Sequence, residues 1–282
     1  MLYPDASSWR AAPRKSVLFF GMSGLGKTHV SKMLVGDGGW FHYSIDYRIG
    51  TNGMYQHIKD NLIAHAMREP FLAQMLRADA MYLEPNVHDH DLHAVSTYLG
   101  KPGNPVRGGL SMEEYQRRQS QFRDAEIAAL NDTAAFKERA ERLYGYPNFI
   151  CDTGGSICEW IDTGAAQDPL LHELAQHCLL IWIKGSEDHT AELIRRFDRA
   201  PKPMAYQPAF LERVWAAYLE RESCTETEVD PDAFIRWTYA QALAHRQPRY
   251  AAMARHGITV TAEEIAGLRG GQDFEELVAS KL

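Results

Sequence analysis

The sequence has few cysteines, and it has no long apolar run. Its four cysteines, Cys151, Cys158, Cys178 and Cys224, include no Cys-x-x-Cys pair. A chain of 282 residues does not depend on disulfides to fold, so we expect reduced thiols and a cytoplasmic protein. A membrane-spanning helix needs about 18 apolar residues in a row, and a signal peptide needs an apolar core near the N-terminus. The sequence shows neither feature, so neither a membrane span nor a secretory leader is predicted.

Basic residues are outnumbered by acidic ones. The chain has 30 Lys and Arg against 37 Asp and Glu, a formal net charge of -7. Proteins that bind long nucleic acids need a surplus of positive charge to neutralise phosphates, so this balance disfavours that class of partner. The composition is otherwise typical of a globular protein, with 45% hydrophobic and 24% charged residues. The length fits one large α/β domain.

The stretch GMSGLGKT, residues 21–28, follows the pattern Gly-x-x-x-x-Gly-Lys-Thr of a phosphate-binding (Walker A) loop. Glycines permit backbone angles that direct successive N–H groups at phosphate oxygens. Lys27 is expected to reach the β- and γ-phosphates, and the Thr28 hydroxyl to bind Mg²⁺. The predicted nucleotide-binding residues are Gly21, Ser23, Gly24, Gly26, Lys27 and Thr28. No Asn-Lys-x-Asp motif for guanine is present, which favours ATP as the nucleotide.

Short apolar runs alternate with helical patterns along the chain. The predicted strands cover 16–21, 40–46, 148–152, 178–183 and 257–261. The predicted helices cover 27–34, 111–143 with a capping box of Ser111 and Glu114, and stretches near 208–222 and 231–255. This alternation predicts an α/β fold of the P-loop NTPase type, with a parallel five-stranded sheet flanked by helices.

Two groups of side chains are candidates for binding a metal ion. Asp152 ends the third predicted strand, where a carboxylate can hold Mg²⁺ through water together with Thr28. An alternative interpretation is that Asp152 caps the following turn. His88, His90 and His93 lie close together in sequence, but a zinc site would need further ligands that the sequence does not indicate. We expect that segment to be a solvated polar loop.

Several further motifs occur in an order that resembles the shikimate kinase branch of the nucleoside-monophosphate-kinase-like P-loop kinases. That family carries Asp-x-Asp after its second strand, and Ser44-Ile45-Asp46 keeps the second of these acids. The resemblance implies that Asp46 is catalytic and orients an acceptor hydroxyl or accepts its proton. The missing first acid leaves more of the metal binding to Thr28 and Asp152.

Three of these motifs concern the acceptor. The family's Phe-Arg-x-x-Glu appears at 122–126, which makes Arg123 a candidate to bind an anion on the acceptor. The Arg-x-Pro-x-Tyr-x-x-x-Ala motif begins at Arg246, a second such candidate. Substrate contacts are also implied for Gly154 and Gly155 in the turn after the third strand, and Arg48 is a further candidate. Each arginine has the alternative of an ordinary surface or salt-bridging role.

The stretch 195–207 resembles the mobile lid of the same family. Lys202-Pro203 stands where the family has Arg-Pro. The resemblance implies that Arg196 and Arg199 are catalytic: a lid arginine offsets charge on the phosphoryl group in transfer and helps to exclude water. An ordinary helix-face position is the alternative for both.

The predicted organisation is a single P-loop kinase-like domain over 1–282, with two insertions. Residues 51–107 form a predicted helical, substrate-binding region, and residues 206–236 form the second insertion. Because recognition loops vary while the phosphate machinery is kept, we do not predict shikimate as the acceptor.

The sequence thus predicts an ATP-dependent phosphotransferase that uses Mg²⁺. The acceptor is a hydroxyl or phosphate of a small molecule that bears a carboxylate or phosphate. One alternative is a nucleotide or polynucleotide kinase. The other is a regulatory ATPase switch that acts with a protein partner. Turnover that rises with a metabolite would favour the first class, and turnover that rises with a protein would favour the switch.

Overall fold

The computed structural model describes residues 1–88, 92–165 and 167–282. The strands are β1 (Ser16–Phe20), β2 (Trp40–Ser44), β3 (Asn148–Asp152), β4 (Leu179–Lys184) and β5 (Ile258–Thr261). The helices are α1 (Ala6–Ala11), α2 (Lys27–Gly36), α3 (Ile45–Arg48), α4 (Tyr55–Ala66), α5 (Pro70–Arg77), α6 (His93–Leu99), α7 (Met112–Asn131), α8 (Thr133–Tyr144), α9 (Ile157–Trp160), α10 (Pro169–His177), α11 (Glu187–Arg199), α12 (Pro208–Glu222), α13 (Pro231–Ala254), α14 (Ala262–Ala266) and α15 (Gly271–Lys281). Short turns of 3-10 or π type cover Ile49–Gly53, Pro105–Arg107 and Glu226–Glu228.

The strands form one parallel sheet in the order β2-β3-β1-β4-β5. Every residue of β1 is buried, as expected for a central parallel strand that is covered on both faces. This arrangement confirms the predicted α/β fold with a five-stranded parallel sheet. β3 has the predicted bounds, whereas Cys178 and Gly257 come directly before β4 and β5 rather than inside them.

The position of β1 decides where a ligand can bind. From β1 the chain goes to β2 and β3 on one side, and then to β4 and β5 on the other. Ligands of open α/β sheets bind outside the carboxyl ends of the strands, at the point where the strand order reverses. The loop after β1 leaves the sheet at that point. Asp152, the last residue of β3, lies beside Phe19 of β1.

The chain divides into two compact units. The first comprises Met1–Ile45, Ile127–Pro201 and Arg236–Leu282, and it contains the whole sheet. The second comprises Asp46–Glu126 and Lys202–Ile235. The segment 51–107 lies entirely in the second unit, and 206–236 does so except for its last residue. That these segments are insertions into a kinase-like domain stays a prediction.

A buried arginine joins three helices of the second unit. Arg118 in α7 donates from Nε to Glu114 Oε1 at 2.7 Å and from Nη1 to the Tyr98 carbonyl in α6. Its guanidinium lies over the Tyr98 ring, 4.6 Å from the ring centroid, and Nη2 is 3.4 Å from Asn61 Oδ1 in α4. These contacts fix α4, α6 and α7 together by charge-assisted hydrogen bonds.

The segment before α12 is tied to α7 within the same unit. Gln119 donates from Nε2 to the Met204 carbonyl at 2.9 Å, and its Oε1 accepts from the Tyr206 N–H at 3.0 Å. Tyr206 is buried at 1% exposure. The last residues of the predicted lid, 204–206, are therefore held by one side chain of α7.

Two predicted elements are shorter in the structure. The second strand ends at Ser44, and Asp46 lies in the first turn of α3 instead of at the strand end. An acidic residue there is favoured by the helix dipole. The helix predicted over 111–143 is broken at Asp132, between α7 and α8. The side chains of Asn131, Asp132 and Thr133 compete with the backbone for hydrogen bonds, which weakens a helix interior.

The capping box predicted at the start of α7 forms only in part. Ser111 Oγ accepts a hydrogen bond from the Glu114 N–H at 3.2 Å. The Glu114 carboxylate instead accepts hydrogen bonds from Arg117 and Arg118. Hydrogen bonds from Arg117 outweigh the effect of burial and, with Arg118, lower the pKa of Glu114 to about 2.

Within the described ranges, no helix is both long and apolar enough to cross a membrane.

Candidate active site

The loop between β1 and α2 has a backbone that only glycine adopts readily at three positions. Gly21, Gly24 and Gly26 have φ of +133°, +86° and +98°. A Cβ on Gly21 would lie 2.5 Å from the Ile183 carbonyl oxygen, so this position also lacks the space for a side chain. Ser23, Gly24 and Thr28 are exposed. The loop therefore presents an open backbone surface at the carboxyl end of the sheet, as a phosphate-binding nest requires.

Lys27 begins α2 and turns back over the loop. The side chain is buried, and Nζ donates to the carbonyls of Gly21 and Met22 at 2.9 Å each. The amino group is thus held at the positive end of a ten-residue helix. Backbone N–H groups, the helix dipole and a lysine at one point are the donors that a nucleotide phosphate needs. The residues present therefore fit the phosphates of a nucleotide.

Asp152 has a partner that the sequence did not indicate. Its Oδ2 lies 3.3 Å from His42 Nε2, and both side chains are largely buried. The contact forms because β2 and β3 are neighbours, with Ser44 beside Asp152 in the register. The two residues are 110 positions apart, and no spacing in the sequence could reveal the pair.

A hydroxyl and a carboxylate suit Mg²⁺, which prefers hard oxygen ligands and keeps several waters and substrate phosphates in its coordination shell. Thr28 and Asp152 offer that donor set. Among the residues that the structure describes, no group of three or more His, Cys, Asp and Glu side chains could hold a metal on its own. The zinc interpretation of the histidine run gains no support from His88 and His93, and His90 lies outside the described residues.

The turn after β3 packs against the glycine-rich loop at 21–28. Thr153 is anchored to β1, where its Oγ1 donates to the Phe19 carbonyl at 2.8 Å. Gly154 and Gly155 follow and are buried. A Cβ on Gly155 would lie 2.9 Å from Ser23 Oγ and 3.3 Å from the Ser23 backbone nitrogen. The loop and this turn can approach each other so closely because position 155 has no side chain.

Arg246 is buried and ion-paired. It is 5% exposed, and its Nε donates to Glu159 Oε1 at 2.6 Å. Glu159 Oε2 lies 3.4 Å from His245 Nε2. Burial alone would raise the Glu159 pKa, but Arg246 and His245 outweigh it and lower the pKa, which keeps the carboxylate ionised. Burial opposes the charge on Arg246 as well, and Glu159 holds the pKa of Arg246 above its usual value. Breaking such a pair from one side costs about 3–5 kcal/mol of stability.

The predicted lid arginines are exposed on α11. Arg196 donates from Nε to Glu192 Oε1 at 2.9 Å, and Arg195 lies 2.8 Å from the other oxygen of the same carboxylate. Arg199 is in the last turn, where the helix dipole favours a cation. Residues 200–207 follow without helix or strand. The catalytic role of Arg196 and Arg199 stays a prediction.

The remaining predicted residues belong to the second unit. Asp46 and Arg48 lie in α3 and are neither fully buried nor fully exposed. Arg123 lies in α7, where its Nε donates to Asp124 Oδ1 at 2.9 Å and its Nη2 to Ser120 Oγ at 3.0 Å. The acceptor-side roles of all three rest on the order of motifs in the sequence.

No protein-family model matches the chain, and no curated protein matches it in sequence. Among solved structures, the chain is similar to a crystal structure described as shikimate kinase from Bacteroides thetaiotaomicron. The match has 16% sequence identity and a TM-score of 0.38, and it covers 94% of this chain and 95% of the other. Because a TM-score this low does not establish a shared fold, we assign the fold from the strand order and the loop after β1.

Replacing the carboxylate of Asp152 tests the predicted metal site. Asp152→Asn keeps the shape of the side chain and removes its charge. We expect the Mg²⁺ concentration for half-maximal ATP turnover to rise about tenfold or more, since charge-assisted contacts to the hydrated ion weaken. A Mg²⁺ titration of turnover measures this. Asp60→Asn, in an exposed position of α4, is the control. An unchanged Mg²⁺ requirement would assign Asp152 to capping the following turn instead.

Proposed function

We propose that this protein is an ATP-dependent phosphotransferase, which transfers the γ-phosphoryl group to a hydroxyl or phosphate of an anionic small molecule. The observation that carries the proposal is the loop at 21–28. Three left-handed glycines and a lysine at a helix N-terminus converge at the carboxyl end of a central parallel strand. Such a loop binds the phosphates of a nucleotide.

The loop, Asp152 and the lid arginines would together bind the triphosphate and its metal ion. The N–H groups of residues 21–28 bind the phosphate oxygens, and Lys27 exchanges its contacts with two carbonyls for the β- and γ-phosphates. Thr28 and Asp152 would hold Mg²⁺, which offsets negative charge on the phosphates when it is bound. Arg196 and Arg199 offset further charge and exclude water when the lid closes.

With a hydroxyl acceptor, the transfer forms one bond to phosphorus and breaks another. The acceptor oxygen forms a bond to the γ-phosphorus, and the bond from that phosphorus to the β–γ bridging oxygen breaks. ADP leaves with the electron pair of the broken bond. The hydroxyl proton passes to the Asp46 carboxylate and then to solvent. The order of motifs in the sequence makes Gly154 and Gly155 candidates to contact the acceptor, and it makes Arg48, Arg123 and Arg246 separate candidates to bind an anion.

The buried pair of Arg246 and Glu159 bears on the acceptor class. An anion that binds Arg246 meets a guanidinium whose charge is already partly offset by Glu159. Arg123 likewise has Asp124 as a partner. We expect the anion to be a carboxylate or a phosphate, because both match the planar guanidinium fork with two parallel hydrogen bonds.

Release of ADP by the purified protein tests the function. Turnover of Mg·ATP is measured alone and with pools of hydroxyl-bearing metabolites. We expect slow turnover alone and a rise with one pool. Mononucleotides form a separate pool, which reports on a nucleotide kinase. Substantial turnover alone that no pool changes would overturn the proposal and favour a regulatory ATPase, for which proteins that raise turnover would then be sought.

A further inference from the structure

Glu159 is a buried acid that no predicted motif contains. It lies in α9, and its side chain has no solvent exposure. Oε1 accepts from Arg246 Nε at 2.6 Å, and Oε2 lies 3.4 Å from His245 Nε2. A carboxylate in such a position needs strong partners, and Arg246 provides the first of them. The pair is separated by 87 positions in the sequence.

Besides its contact with Glu159, the Arg246 guanidinium has Nη1 close to the loop at 21–28. Nη1 lies 3.7 Å from the point that a Cβ on Gly155 would occupy. Ser23 Oγ and the Ser23 nitrogen lie 2.9 and 3.3 Å from that same point. The guanidinium and the first turn of the loop therefore face each other across a glycine. A side chain at 155 would fill the space between them.

Arg249 and Tyr250 of α13 hold the backbone around Glu159 in place. Arg249 donates from Nε to the Cys158 carbonyl at 2.7 Å and from Nη2 to the Ile161 carbonyl at 2.8 Å. The Tyr250 hydroxyl donates to the Gly155 carbonyl. These bonds hold the backbone of 155–161 on both sides of Glu159. The position of Arg246 is thus set from both ends, by its own helix and by the carboxylate.

We propose that Glu159 is a positioning residue, which holds Arg246 so that its Nη1 edge is directed at an oxyanion beside Ser23 of the phosphate-binding loop. The proposal rests on the phosphotransferase function proposed above. The oxyanion belongs either to the phosphoryl group in transfer or to the acceptor, and the two sources share the same chemistry. A guanidinium that is held in place in a dry site loses little energy to reorganisation when charge develops near it.

Glu159→Gln is the principal variant because it keeps the size and the Oε1 acceptor while it removes the charge. One measurement is the affinity for Mg·ADP with aluminium fluoride, a mimic of the phosphoryl group in transfer, compared with the affinity for Mg·ADP alone. A second is the KM for the acceptor found in the ADP-release assay. Misplacement of a catalytic group by about 1 Å costs up to about a hundredfold. We expect a loss of tenfold or more in one of these two quantities, with Mg·ADP affinity unchanged.

The two measurements distinguish the two sources of the oxyanion. A loss of aluminium fluoride affinity assigns Arg246 to the phosphoryl group, and a raised acceptor KM assigns it to the acceptor. The first measurement needs no acceptor, so it still tests Glu159 if no metabolite is ever phosphorylated. In that case the proposed function fails, and the affinity for Mg·ADP with aluminium fluoride alone decides whether Glu159 positions Arg246. Glu276→Gln, which breaks an exposed pair with Arg10 at 2.8 Å, is the matched control.

A double mutant shows whether Glu159 acts through Arg246. If it does, Glu159→Gln combined with Arg246→Gln has no larger effect on the affected quantity than Arg246→Gln alone. Thermal unfolding and circular dichroism establish that each variant is folded, and Glu159→Asp provides a second variant that keeps the charge. Partial rescue by Glu159→Asp supports the proposal. A folded Glu159→Gln protein with wild-type affinity and wild-type acceptor KM would overturn it.

Discussion

Lys27→Ala is expected to lower kcat/KM for ATP by at least about a hundredfold, because the variant loses the positive charge that faces the β- and γ-phosphates. Lys27 is buried and donates hydrogen bonds to two loop carbonyls. Its loss removes a phosphate ligand while the glycine backbone of the loop stays intact. Steady-state release of ADP measures the effect, and calorimetry gives the affinity for Mg·ATP.

Lys32→Ala is the matched control for this variant. Lys32 lies in the same helix α2 and is exposed. It has the same charge and the same side chain, but it lies beyond the first turn of the helix. We expect its kcat/KM to be within about twofold of wild type. Equal losses in both variants would mean that general positive charge, and not the loop lysine, supports turnover.

Gly21→Ala is expected to destabilise the protein by about 3 kcal/mol and to abolish ATP binding. The new Cβ would lie 2.5 Å from the Ile183 carbonyl oxygen, and φ at this position is +133°. The backbone of β4 cannot yield without loss of sheet hydrogen bonds. The loop must therefore change shape, and its N–H groups turn away from the phosphate position. Thermal unfolding and Mg·ATP titration measure the two effects.

Gly36→Ala provides the comparison. Gly36 ends α2, is exposed, and has no atom within 4 Å of the added Cβ. Alanine is favoured over glycine in a helix by roughly 0.5–1 kcal/mol, so this variant should be as stable as wild type or slightly more so. Gly21→Ala that binds Mg·ATP normally and unfolds at the wild-type temperature would contradict the described loop conformation.

Local features of the sequence were sufficient to predict the sheet and the glycine-rich loop that follows its first strand. The strand at 16–20 is an apolar run, as expected for a strand that is buried on both faces of the sheet. The loop after it has a glycine and lysine spacing that seldom occurs by chance. Asp152 could be placed because it ends a short apolar strand. These predictions need only neighbours in the chain.

Pairs that depend on how distant segments meet could not be predicted. His42 beside Asp152 requires the strand order of the sheet, and Glu159 beside Arg246 requires the packing of α13 on α9. The stretch WFHYSID is rich in aromatic residues and predicts a strand that ends on Asp46, yet the chain turns into α3 directly after Ser44. Tertiary packing decides such ends, and sequence patterns define element boundaries poorly.

The fate of the γ-phosphate tests phosphotransfer most directly. The protein is incubated with Mg²⁺ and ATP labelled at the γ-phosphorus, together with the metabolite pool that raises ADP release, and the labelled products are separated. If the protein is a phosphotransferase, the label appears in an organic phosphate in amounts equal to the ADP formed, and Lys27→Ala gives none. If all of the label is recovered as inorganic phosphate, and no metabolite pool changes the rate of its release, the protein hydrolyses ATP and transfers nothing.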